Sequence, residues 1–231
     1  MEKVGILGGM GPESTVDYYK NIISGYRTIK KDNQYPQIFI NSINMTEMLS
    51  YVVKKDYPAL INLLVTGMKD LQKSGADFAV IASNTPHVVF DEVNNQSPIP
   101  LISIVDSTIQ RALDSELKKL LLIGTGFTMK NTFYQDKISK YDISVVIPSE
   151  LNQEIIHNII FPELEEGIII PEKKTQMIRI CNEIINRENI DGVILGCTEL
   201  PLMIGDNDLN VEVLNTTQNH VDAIVKRLVN S

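Results

Sequence analysis

The sequence predicts an α/β fold of two lobes of the same topology with mainly parallel sheets. Three observations carry this. Short Val/Ile/Leu runs alternate with longer amphipathic stretches, the pattern of strands covered on both faces by helices. A strand, a Gly-bearing turn and a helix with an aromatic pair occur twice, in GILGGMGPESTVDYYKN (Tyr18-Tyr19) and in LLIGTGFTMKNTFYQDK (Phe133-Tyr134). GADFAVIASNTPH and NIDGVILGCTELP likewise each end a strand in a small-residue turn containing Thr. The offsets agree: Gly124 lies 116 positions after Gly8, and Cys197 lies 114 after Ser83. Two lobes of one topology then bring the Ser83 and Cys197 turns to face each other, with the active site in the interlobe cleft at the C-terminal strand ends.

Strands are expected at residues 3–7, 37–41, 78–82, 101–104, 119–123, 143–147, 192–195 and 212–214, each a short apolar run without strict alternation. A first helix is expected over 13–28, entered through Gly11 and Pro12. The next, 57–74, is stopped by Gly75. A third, 107–115, has Ser107 as its cap. Helices over 129–139, 153–163, 172–187 and 217–229 complete the alternation. Within 172–187, Met177, Ile178, Cys181 and Ile184 fall at helical spacing, so Cys181 reads as core.

Composition narrows the function classes. The 231 residues carry a net charge of −8, with 6% aromatics and no Trp. An acidic chain repels phosphate backbones and has few stacking platforms, which argues against a nucleic-acid partner. The same charge repels an acidic ligand, which must be held by local donors. No apolar run is long enough to span a bilayer, and MEKVGILGGM lacks a signal peptide's basic start and cleavage site. A cytoplasmic location is expected, with Cys181 and Cys197 as free thiols and no structural zinc site.

The chemistry concentrates at the repeated turns. VILGCTELP places Cys197 between a strand and a helix, where a helix N-terminus is expected to lower the thiol pKa; Thr198 and Glu199 follow. The bland alternative is a buried apolar plug, and the repeat of this turn favours function. Ser83, Asn84 and Thr85 form the equivalent turn. They are suited either to binding a carboxylate or enolate oxygen or simply to capping a helix. His87, four residues after Ser83, is placed to activate its hydroxyl or to serve as a hydrogen-bonded structural residue. The Gly8–Met10 turn and Gly124-Thr125-Gly126 lack a complete phosphate motif, so close backbone approach to a small ligand or to the facing lobe is the better account.

With GGMGPEST, SNTPH and GCTELP together, the chain resembles the aspartate/glutamate racemase superfamily over essentially its whole length. The resemblance implies two pseudo-twofold-related α/β lobes, 1–97 plus 212–231 and 98–211, with the C-terminal segment returning to the first and the active site in the interlobe cleft. It implies an isomerase acting on a small acidic amino acid, aspartate or glutamate, without pyridoxal phosphate or metal, in a homodimer. Cys197 and Ser83 would be the acid/base pair. Met10, Asn84, Thr85, Thr125 and Thr198 would hold the substrate. TMxxxFY and IIFxEL (Ile159 to Leu164) resemble a branch with a hydroxyl residue in place of the first catalytic Cys. Three features depart from the commonest pattern: Ser83 replaces Cys, Met48 stands where some aspartate-specific members carry a basic residue, and Asn215 stands where relatives often have Asp. Glu165 and Glu166 are acidic besides, so no clamp for a side-chain carboxylate is visible. Two other readings stay open: a one-base decarboxylase or isomerase using Cys197 alone, and an amino-acid-binding relative without turnover.

Overall fold

The computed structural model, which describes residues 1–31, 33–205 and 207–231, turns each of the eight apolar runs into a strand. The chain divides into two units, Met1–Ile104 with Thr217–Ser231, and Val105–Thr216.

In the first unit, β1 (Val4–Gly8), β2 (Ile38–Ser42), β3 (Phe78–Ile81) and β4 (Leu101–Ile102) form a parallel sheet of order β2-β1-β3-β4. The period-2 alternation of a strand splits its side chains between two faces. Val4, Ile6, Phe78 and Val80 pack against Tyr18, Ile22 and Tyr26 of α1 (Pro12–Lys30) and Val221, Ile224, Val225 and Leu228 of α11 (Thr216–Asn230). On the other face lies α3 (Tyr57–Ser74), so close that a Cβ on Gly5 would sit 3.1 Å from Leu71 Cβ. Asp56 caps α3 by accepting the Ala59 N–H, and Gly75 (φ 103°) ends it; a shorter helix, α4 (Phe90–Gln96), lies between β3 and β4. Between β2 and α3, Asn44 Oδ1 accepts the Thr46 and Glu47 N–H groups and starts α2 (Met45–Lys54), a helix the sequence does not announce.

The second unit repeats this topology. β5 (Lys119–Ile123), β6 (Ser144–Val146), β7 (Gly192–Leu195) and β8 (Glu212–Asn215) form a parallel sheet of order β6-β5-β7-β8. Leu121, Ile123, Val193 and Leu195 pack with α8 (Glu150–Ile159) and α9 (Pro171–Glu188). Cys181 lies fully buried in that core, and burial pushes its thiol up to about 12.

Unit boundaries differ from those expected at 97/98 and 211/212. β4 pairs with β3 and β8 pairs with β7, so each strand stays in its own sheet. The helices that follow change units: α5 (Ile104–Asp114) belongs to the second and α11 to the first. Ser107 is also not the α5 cap. His87 Nε2 accepts the Ile104 N–H at 3.2 Å, so the helix starts three residues earlier and Ser107 lies inside it. Among the described residues no helix is long and apolar enough to cross a membrane.

The Gly-rich turn after β1 is explained within its own unit. Gly9 has φ 85°, and a Cβ there would stand 2.5 Å from Ile43 O and 2.6 Å from Ser42 Oγ. Its N–H donates to Thr15 Oγ1 at 2.9 Å. Gly9→Ala is expected to cost about 2–3 kcal/mol. Thermal unfolding checks this; a Tm equal to that of the parent would show that the turn imposes no such constraint.

Candidate active site

Two polar clusters stand at equivalent places, each just beyond the C-terminal ends of the two central strands of its sheet. In the second unit the ends of β5 and β7 come close together. The Gly196 N–H donates to Ile123 O at 2.7 Å, and a Cβ on Gly124 would meet Gly196 O at 3.0 Å. These glycines let the chain turn directly into Cys197, two residues past β7. Cys197 is only 7% exposed, and its Sγ–H donates to Glu199 Oε2 at 2.8 Å. The Thr198 hydroxyl donates to Glu199 Oε1 at 3.0 Å, so one buried carboxylate takes both neighbours.

This environment reverses the expected thiol shift. Burial first, then the Glu199 charge and its hydrogen bond, hold the Cys197 thiol well above its ordinary value. The helix that follows, α10 (Leu200–Met203), has four residues and starts three positions later, too short and too remote to offset this. Cys197 is therefore a thiol at rest, and thiolate must be generated at the moment of use.

Glu165 adds to the acidity. It caps a five-residue π turn (Ile160–Leu164) that follows α8, and Lys173 ties that turn to α9 through Asn158 O and Glu163. Burial and the Glu199 carboxylate raise the Glu165 pKa. Thr125, expected as a substrate donor, caps α6 (Gly126–Lys130): its Oγ1 accepts the Thr128 N–H at 3.3 Å and lies 3.2 Å from Thr128 Oγ1. The Gly126 N–H points to His157 Nδ1 at 3.4 Å.

In the first unit, Ser83 and Asn84 follow β3, both more than nine-tenths buried, and Thr85 begins a 3-10 turn (Thr85–Val89). The end of β3 is fixed by the Ala82 N–H donating to Leu7 O and by the Ser14 hydroxyl donating to Ala82 O. Met10, after β1, is buried at the same edge of this sheet. Met48 is buried in α2 and serves as core.

His87 does not activate the Ser83 hydroxyl. Its Nδ1 lies 2.8 Å from the Ser83 carbonyl oxygen, which can only accept, so Nδ1 carries the proton. Nε2 then accepts the Ile104 N–H, and both ring nitrogens are committed to backbone. Glu199 is the functional candidate that motif reading passed over. Its only sequence signal is the carboxylate two residues after Cys197 in GCTE. Among the described residues no three or more His, Cys, Asp or Glu side chains are grouped to hold a metal ion.

Comparison with known proteins adds to this geometry. The profile of the Asp/Glu/hydantoin racemase family matches residues 7–224. The broad specificity amino-acid racemase of Bacillus subtilis is 24% identical over 93% of this chain and 92% of its own length. An aspartate racemase homologue from Pyrococcus horikoshii superposes with a TM-score of 0.88 at 35% identity, covering 100% of both chains. The aspartate racemase of Picrophilus torridus, at 24% identity, shares the fold with a TM-score of 0.78 over 99% of this chain and 95% of that one.

Proposed function

Because the chain belongs to the Asp/Glu/hydantoin racemase family, we propose that it is an amino-acid racemase moving a proton at the α-carbon without pyridoxal phosphate. The observation that carries this is the Cys197 turn: a thiol at a strand end, hydrogen-bonded to a buried carboxylate. Cys197 is the acid/base for one face of the α-carbon and Ser83 supplies the other. Asn84 and Thr85, with Thr125 and the backbone of Thr198 and Met10, are the donors for the α-carboxylate, since the Thr198 hydroxyl is taken by Glu199. That group takes up the charge as the carbon loses its proton, so donors aimed at it stabilise the enolate-like transition state.

Aspartate and glutamate are the first substrates to test, as the family reading suggests. A second reading, an amino acid with a neutral or basic side chain, is favoured by the paired carboxylates Glu165 and Glu199 beside the thiol. An anionic side chain near that pair meets like charge.

The test is proton NMR in deuterated buffer with both enantiomers of aspartate, glutamate, alanine, lysine and ornithine. Loss of the α-proton signal together with appearance of the opposite enantiomer is expected for at least one of them. Exchange with retention of configuration would replace racemisation by one-sided chemistry at a single acid/base. No exchange with any of them would sink the racemase reading.

A further inference from the structure

We propose that Glu199 is the proton partner of Cys197, taking the thiol proton on Oε2 so that Sγ can accept the α-proton, and that the Thr198 hydroxyl holds it in place. The inference rests on the racemase reading above and assigns a positioning residue to it. Three geometric facts support it. The Sγ–H donates to Oε2 at 2.8 Å, a short contact for a sulfur donor. The other carboxylate oxygen takes the Thr198 hydroxyl at 3.0 Å, which fixes the plane of the group. Glu199 itself is 7% exposed, so a carboxylate has been kept beside the thiol at the cost of its desolvation.

The proton accounting closes. The S–H bond breaks and an O–H bond forms on Oε2, leaving thiolate. The thiolate takes the α-proton, so a C–H bond breaks, an S–H bond forms, and the electron pair stays on the substrate as the enolate. In the opposite direction the thiol gives its proton to carbon while Glu199 stays protonated. The pair thus alternates between one proton and two. The charged groups acting on Sγ are Glu199, on its own turn, and Glu165, at the end of the π turn that packs against α10. Glu165 bears on the thiol by charge alone.

The chain has two cysteines, so 13Cβ-cysteine labelling gives two resonances, assigned by Cys197→Ala. Cys181, in the core of the same unit, reports whether the fold is intact. In Glu199→Gln the Cys197 titration midpoint is expected to move to lower pH, because a repelling charge is gone. At the same time α-proton exchange is expected to fall about a hundredfold, because the thiol proton has nowhere to go. A thiol that ionises more readily while the enzyme slows is not what a merely structural residue would produce. Glu199→Asp, which keeps the acid on a shorter stem, should recover part of the exchange. An unmoved midpoint, or exchange at the wild-type rate in Glu199→Gln with the Cys181 resonance unchanged, overturns the proposal. A wild-type protein that exchanges no α-proton removes the racemase reading instead. The titration then decides the pair alone: a lowered midpoint sustains it and an unmoved one overturns it.

Discussion

Cys197→Ala is expected to lower α-proton exchange by roughly 10³-fold, while Ser83→Cys is expected to raise inversion by about tenfold or more. The two positions are equivalent in the internal repeat, each two residues past a central strand, yet their chemistry is unequal. Cys197 has a carboxylate 2.8 Å from its sulfur. Near Ser83, His87 is locked as a backbone clamp by Ser83 O and the Ile104 N–H, so it cannot take the hydroxyl proton. A thiol ionises near pH 8.5 in water, whereas an unactivated hydroxyl is a far weaker acid. The proton handled by Ser83 should therefore limit inversion, and a thiol there should relieve that limit. The substitution exchanges oxygen for sulfur, a small change of volume even at a site 6% exposed. Circular dichroism of the product and α-proton exchange by NMR measure both variants. If Ser83→Cys abolishes inversion, the hydroxyl has a role that a thiol cannot fill; if Cys197→Ala retains full exchange, the assignment of the base is wrong.

How much of this was readable from the chain depends on how local the cause is. All eight strands were, because each is a short apolar run between turn signals, and the repeat gave the shared topology of the two sheets. The equivalent placing of the Ser83 and Cys197 turns, each two residues past a strand, followed from the same repeat. What escaped depends on distant partners. The start of α5 is set by His87, 17 residues upstream, so a local cap search settles on Ser107. The expected helix over 129–139 breaks at Asn131, which turns extended (ψ 154°) and separates α6 from α7 (Phe133–Ile138). The expected helix over 153–163 gives way at Phe161, which leaves helical geometry before Pro162, a restriction that proline imposes on its predecessor. The direction of the Cys197 shift escapes a local reading for a similar reason. A strand-to-helix turn suggests a stabilised thiolate, but burial and a carboxylate two residues on decide the sign, and burial is a property of the packed unit.

Acidification is expected to unfold this protein earlier than its carboxylates alone would require, through His220. This histidine of α11 is completely buried. Its Nε2 lies 2.9 Å from Ile102 O, which can only accept, so Nε2 carries the proton and Nδ1 accepts from the Tyr18 hydroxyl at 2.7 Å. Tyr18 and His220 thereby tie α1 and α11 to β4, the short edge strand, while His87 accepts the N–H of Ile104, two residues past it. Burial holds the His220 pKa down to about 4, against 6.5 for a free imidazole. The unfolded chain therefore binds the proton more readily than the fold does. The contribution of neutral His220 is complete above about pH 6.5 and is lost as pH falls toward about 4, for a total of about 3 kcal/mol. In His220→Gln the amide can still donate to Ile102 O and accept from Tyr18, but it cannot titrate. Urea unfolding at pH 7.5 and pH 4.5 should show a steep loss of stability in the parent and a much smaller one in this variant. His220→Ala, which orphans both partners and opens a cavity, should cost about 3–4 kcal/mol at pH 7.5. If the parent and His220→Gln lose the same stability between the two pH values, the buried imidazole is not the group that senses acid.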